Sequence, residues 1–102
     1  MESFKRKITK SGTVFCITIP NHIAYKMKIE RGSSVFTEIK LDSTLLFRGT
    51  KKVTVIGKML AIVLPKSKAF GKIWNMLYQR GAQLDVTIFT IDEILDRITS
   101  SS

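Results

Sequence analysis

RKITKSGTVFCITIP, residues 6–20, is matched further along by KKVTVIGKMLAIVLP, residues 51–65. Gly12 and Gly57 lie 45 positions apart, as do Pro20 and Pro65. At that offset Ile8 matches Val53, Val14 matches Met59, Ile17 matches Ile62 and Ile19 matches Leu64. Each copy continues into a helix-like stretch, an Arg-Gly turn (Arg31-Gly32 and Arg80-Gly81) and a short strand pattern. A repeated half-domain of this kind is a unit that cannot bury its apolar face alone. The duplication supplies the missing partner inside the same chain.

The rest of the composition fits that reading. The chain has 102 residues, of which 44% are hydrophobic and 25% charged. Surface-to-volume scaling leaves a half of ~50 residues marginal by itself. The expectation is one shared core, built from a first repeat over 1–50 and a second over 51–102.

Net charge is +9, from 17 basic and 8 acidic residues. Residues 1–50 hold nine basic and four acidic groups, and residues 51–102 hold eight and four. A field of this sign favours polyanions: DNA, RNA or an anionic membrane surface. The alternative is a basic protein kept soluble by its charge. Cys16 is the single cysteine, so neither an intrachain disulfide nor a zinc ligand set can be assembled. It lies in the apolar run Val14–Ile19, which predicts a buried small hydrophobe rather than a reactive thiol. No apolar h-region follows the basic N-terminus, and no apolar stretch approaches the ~20 residues of a membrane span. The expectation is a cytoplasmic protein with no membrane partner.

Local patterns place the elements. Phe4–Thr9 interleaves basic and apolar residues and predicts a strand, with Ser11-Gly12 as a turn. Val14–Ile19 predicts a strand buried on both faces. Pro20 ends it, in the position that suits the first turn of a helix. A short helix is predicted over Asn21–Lys28, with Ile23, Ala24 and Met27 on one side. Val35, Thr37 and Ile39 alternate with Phe36, Glu38 and Lys40, the period of a strand. Leu45–Phe47 reads as a short returning strand, and Arg48–Lys52 as a polar joint between the copies. In the second copy Ala69, Phe70, Ile73, Trp74 and Leu77 form an apolar stripe at helical period. Pro20 to Gly32 spans 12 residues and Pro65 to Gly81 spans 16, close to one added turn. After the strand Leu84–Phe89, Thr90 and Glu93 have capping-box spacing, and Ile91, Ile94, Leu95 and Ile98 predict a C-terminal helix. Ser100–Ser102 is expected to fray.

The block from Lys7 to Ile39 resembles the AbrB/SpoVT-like swapped-hairpin family of DNA-binding proteins. The matching features are the basic-apolar strand Arg6-Lys7-Ile8, the Ser11-Gly12 turn, the strand ending Thr18-Ile19-Pro20, and the helix followed by Arg31-Gly32. The Gly-to-Pro spacing of eight in both copies is similar to the MazE antitoxin branch and its archaeal-type relatives. The resemblance implies a mostly β fold with short helices, in which two fused β-β-α-β repeats form a swapped-hairpin β-barrel, a pseudo-dimer in cis. A homodimer of the fused chain is also compatible with it. It further implies transcriptional regulation, through basic residues on the first strand and around the glycine turn.

The residues themselves carry a consistent reading. Lys5, Arg6, Lys7 and Lys10 are four cations within six residues. On a strand, alternate residues are ~7 Å apart, a spacing that tracks a phosphate backbone. Alternation puts Lys5 and Lys7 on one face and Arg6 and Lys10 on the other. Lys51 and Lys52 take the places of Arg6 and Lys7 in the second copy, and Lys58 follows Gly57. A pseudo-twofold axis would bring both ribbons to one face. Thr13 sits where relatives carry Arg, Gln or Asn, and Thr18 and Val63 sit where the antitoxin branch carries a basic residue. Lys10 and Ser11 become Val55 and Ile56, so the first copy is expected to read DNA more directly than the second. His22 is either a phosphate donor or an exposed polar residue. Helical spacing puts Phe70 and Trp74 in the core rather than in base stacking, while Tyr25 and Tyr78 are undetermined. Asp92, Glu93 and Asp96 are expected to cap and solvate a helix rather than bind metal.

No catalytic set can be organised around a single histidine, and neither a P-loop nor a Rossmann glycine pattern occurs. The chain is expected to be no enzyme, without cofactor, metal or small-molecule substrate. Double-stranded DNA is the expected partner. Two other readings stand beside it: an antitoxin-like protein-interaction module, and a sequence-neutral architectural nucleic-acid binder.

Overall fold

Ile8 and Val53, matched positions of the two copies, are the buried residues at which the chain changes sheet. The computed structural model describes residues 1–100. Around Ile8 run β1 (Glu2–Lys7) and β2 (Thr9–Ser11), followed by β3 (Val14–Thr18), α1 (Asn21–Met27) and β4 (Ser34–Leu41). Around Val53 run β5 (Thr44–Lys52) and β6 (Thr54–Ile56), followed by β7 (Met59–Val63), α2 (Lys68–Arg80), β8 (Gln83–Thr90) and α3 (Ile91–Ser100). The strands form two antiparallel four-stranded sheets, β1-β8-β4-β5 and β2-β3-β7-β6.

Strands are exchanged between the copies. β1 pairs with β8; β5, which begins inside the 1–50 expected for the first repeat but leads into Val53 as β1 leads into Ile8, and so belongs to the second copy, pairs with β4. The two registers correspond: Lys7 faces Gln83, and Lys52 faces Ser34. In the second sheet β3 and β7 pair about Ile17 and Ile62. The flanking bonds match as well, Ile19 N–H to Leu60 C=O at 2.7 Å and Leu64 N–H to Phe15 C=O at 2.9 Å. An approximate twofold axis therefore passes through both sheets.

The sheets remain open layers, and no closed barrel forms among the described residues. The reason lies at the corners. The backbone of Val53 bonds to the loop at Gly32 and Ser33 rather than to a neighbouring strand, so the ladder is interrupted where the chain crosses.

The inner faces pack on each other. Ile17, Ile19, Ile62 and Leu64 from one sheet meet Val35, Ile39, Leu84, Val86 and Ile88 from the other. Trp74 and Leu77 of α2 and Ile23 and Ala24 of α1 complete this core. The alternation expected in Val35, Thr37 and Ile39 is present, and all three are buried. Cys16 is fully buried, as its apolar run predicts.

Three local expectations are corrected. Arg48–Lys52 is not a joint: β5 runs unbroken from Thr44 to Lys52, because its polar residues lie on an edge strand with one side open to solvent. Pro20 is the N-cap of α1 rather than its first helical residue, and Pro65 stands two residues before the N-cap of α2, Ser67. The helices differ by more than one turn, with 7 residues in α1 and 13 in α2. α1 stops at Lys28, which takes the left-handed conformation (φ 56°), and residues 29–31 form a loop. In α2 the helix continues up to Gly81, which makes the same kind of cap at φ 61° with no side chain to strain.

α3 begins with the expected capping box. The Glu93 N–H donates to Thr90 Oγ1, and the Thr90 N–H donates to Glu93 Oε1, both at 3.2 Å. Of Ser100–Ser102, expected to fray, Ser100 is the last residue of α3 and 101–102 lie outside the described residues.

Candidate nucleic-acid interface

β1 divides its cations by parity. Phe4 and Arg6 turn toward the second sheet, while Lys5 and Lys7 stand on the outer face of the first. The Arg6 guanidinium donates from Nε to the Thr18 carbonyl at 3.3 Å, tying the edge of one sheet to the other. Lys5, Arg6 and Lys7 line a cleft of about 270 Å³ with Thr9, Thr18 and Gln83. Lys5 lies 4.0 Å from Asp85, an exposed and weak pair.

Lys10 does not share a strand with Lys7. The turn at Ile8 carries it into β2, where its ammonium sits 5.7 Å from the Phe15 ring centre. Phe15 in turn meets Tyr78 of α2 at 5.7 Å. Thr13 faces the start of α2, across a cleft of about 380 Å³ that also takes in Lys66, Ser67 and Lys68. At the other end of α2, a β-carbon built on Gly81 would lie 4.0 Å from the Lys7 ammonium. Lys7, Lys10 and Thr13 of the first copy thus border the helix of the second.

The second copy's cations lie elsewhere. Lys51 and Lys52 end β5, at the opposite edge of the first sheet from β1. Lys51 turns inward, with its ammonium 5.9 Å from the Phe47 ring centre, whereas Lys52 is exposed. Lys58 is exposed at the tip of the β6–β7 hairpin. Because β3 and β7 are antiparallel, that tip lies at the opposite end of the second sheet from Gly12 and Thr13. The two basic ribbons are related by the approximate axis but separated by β8 and β4, which carry Asp85 and Glu38 between them. Glu38 is itself paired with Arg48 at 3.6 Å.

A wider asymmetry of charge appears once the layers are known. The second sheet, with the helices that follow β3 and β7, comprises residues 9–28 and 54–80 and contains no Asp or Glu. It carries Lys10, Lys26, Lys28, Lys58, Lys66, Lys68, Lys72 and Arg80. The acids belong to the first sheet, α3 and two turns: Glu2, Glu30, Glu38, Asp42, Asp85, Asp92, Glu93 and Asp96. Lys26 is drawn across to Glu2 at 2.6 Å, and the Lys26 ammonium holds the Glu2 carboxyl below its ordinary value. Among the described residues, no acid lies within 4.0 Å of the ammonium or guanidinium groups of α2.

The cations of α2 are not among the residues expected from the sequence to bind DNA. Lys68 and Lys72 are exposed, as are Asn75 and Gln79, and the four share one face at i, i+4, i+7 and i+11. The opposite face holds Trp74 and Leu77 in the core, and Trp74 Nε1 donates to the Pro65 carbonyl at 3.2 Å. Phe70 stacks on Trp74 at 5.6 Å, so both rings serve packing, as their spacing predicts. The sequence does carry a signal for the α2 cations: residues 43–84 contain eight basic residues and no acid. His22 and Tyr25 are exposed on α1. Burial pushes the Cys16 thiol up from its ordinary value. No helix among the described residues is long and apolar enough to cross a membrane. Compared with protein-family models, curated proteins and solved structures, the chain matches none.

Proposed function

We propose that this chain binds double-stranded DNA as two fused AbrB/SpoVT-like repeats, a pseudo-dimer in cis, and acts as a transcriptional regulator. The observation that carries the reading is the separation of charge between layers. The layer without Asp or Glu carries eight cations, of which Lys26 reaches across to Glu2 and Lys28 borders a cleft with Asp92, whereas the acids lie in the first sheet, α3 and two turns. A net charge spread evenly over a protein gives solubility, whereas a one-sided cationic layer gives a directed attraction for a polyanion. The exchange of β1 and β5 between the copies supports the fused-repeat part of the proposal, because each repeat completes the other's sheet.

Affinity comes mainly from phosphate neutralisation. If about six to eight cations engage, the observed binding constant falls with salt at a log–log slope of roughly −5 to −7. Fluorescence anisotropy of a labelled duplex, titrated at several salt concentrations, measures that slope. A flat salt response, or no binding at low salt, rules the reading out. Regulation is tested separately, by sequence selection from a random duplex pool. Recovery of no preferred site leaves a sequence-neutral binder in its place.

A further inference from the structure

The outer stripe of α2 has a chemistry that phosphate attraction alone does not require. Two point charges are followed by two carboxamides: Lys68, Lys72, Asn75 and Gln79, all exposed and all on one face. Lysine attracts a backbone. Asparagine and glutamine add little to that, but each presents a donor beside an acceptor, matching N6 and N7 of adenine in the major groove. Met76, 43% exposed, stands next to this stripe and offers apolar surface suited to a thymine methyl.

The geometry suits the same groove. A helix of 13 residues is ~20 Å long, and with side chains it is ~10–12 Å across. That matches the ~12 Å width of the B-DNA major groove. The A-form major groove is too deep and narrow to admit it. Single strands are recognised by stacking on exposed rings; Phe70 and Trp74 are turned away from the stripe, and Tyr78, the exposed ring of α2, is packed against Phe15 beside it. Further cations lie around the helix: Lys66 before it, Arg80 as its last residue, and Lys10 over Phe15, the ring that packs on Tyr78 of α2.

We infer that α2 is the sequence-reading element of this protein: it enters the major groove, with Asn75 and Gln79 contacting adenines and Lys68 and Lys72 fixing its depth against the backbone. The inference rests on the DNA-binding reading above and adds to it a site and a base preference. α1 has no such stripe, since its exposed residues are Asn21, His22, Tyr25 and Lys26 over only 7 residues. A single reading helix makes the selected site asymmetric, even though the scaffold is nearly twofold.

The test compares variants on a site selected by the wild-type chain and on random duplex. Asn75→Ala with Gln79→Ala is expected to leave random-duplex affinity within about twofold and to lower preference for the selected site about tenfold or more. Lys68→Ala with Lys72→Ala is expected to weaken both duplexes together and to reduce the salt slope by about 2. Lys40→Ala, in β4 of the first sheet, is the control. All four carboxamide and lysine positions are exposed, and circular dichroism checks that each variant remains folded. Wild-type preference for adenine-containing sites that survives the loss of Asn75 and Gln79 overturns the inference while leaving DNA binding intact. A wild-type chain that binds no duplex overturns both.

Discussion

Ile17 lies directly opposite Ile62 in the β3–β7 ladder, and Ile62 is also the residue that takes Ile17's place in the second copy. The same holds for Glu38 and Thr87 in the other sheet, when β4 is superposed on β8. These two self-matched pairs mark the axis about which the copies complete each other. Both isoleucines are buried, in one core to which both copies contribute. Ile17→Ala and Ile62→Ala are each expected to cost about 2–5 kcal/mol, the range for large-to-small changes in a packed core. Urea unfolding measures this. A loss confined to one of the two positions would contradict a shared core.

Thr37 is fully buried and its hydroxyl has no hydrogen-bond partner. Its register equivalent in β8 is Val86, an apolar residue in the same core. An unpaired buried hydroxyl costs about 1–3 kcal/mol. Thr37→Val is therefore expected to raise the urea midpoint by the equivalent of about 1 kcal/mol or more, with no change in slope. An unchanged or lowered midpoint would show that the hydroxyl is satisfied in solution.

Glu93 joins α3 to the chain's beginning. Its carboxylate accepts from the Met1 ammonium and from Thr90. Burial pushes the Glu93 carboxyl up, but these bonds and the nearby positive charge outweigh it and hold the carboxyl below its ordinary value. A lowered carboxyl pKa means stability that is fully present above the unfolded value, about 4.3, and lost as pH falls through the folded one. Docking of α3 is expected to weaken in that acid window, seen as earlier amide exchange in residues 91–99. Glu93→Gln should remove this pH dependence. Its persistence in the variant would assign it to other groups.

Lys7 and Lys10 border α2, while Lys51 and Lys52 stand at the far edge of the first sheet. Removing Lys7 and Lys10 together is expected to reduce the salt slope of DNA binding by about 2. Removing Lys51 and Lys52 together should reduce it by less. Equal losses would mean that both edges of the sheet meet the duplex.

Cys16 is fully buried, and burial raises its thiol. It is expected to react with Ellman's reagent only after unfolding in guanidinium. Rapid labelling of the native protein at neutral pH would show that β3 opens locally.

The two copies could be read from the sequence because Gly12, Pro20, Gly57 and Pro65 punctuate the chain at fixed distances, and because Ile8, Ile17 and Ile19 have apolar counterparts. The capping box at Thr90 and Glu93 is a local signal and was equally plain. Strand exchange enters only through the resemblance to a swapped-hairpin family, since nothing in Glu2–Lys7 itself says that its partner is Gln83–Thr90 rather than its neighbour. The change of sheet at Ile8 was hidden for a similar reason: a strand and a bent strand have the same alternation on either side of the bend. That single turn separates Lys10 from Lys5, Arg6 and Lys7 and breaks the four-cation ribbon. The stripe on α2 is harder to see in the sequence because the apolar positions at helical period already account for the helix, and Lys68, Lys72, Asn75 and Gln79, in register on the opposite face, look like an ordinary solvated surface.

Amide chemical-shift mapping on titration with duplex DNA shows directly which surface takes the polyanion. The account predicts perturbations along α2, at Lys7 and Lys10 and around Thr13, with Glu38, Asp85 and α3 left unmoved. Shifts centred on the outer face of the first sheet and on α3, with α2 silent, would contradict it.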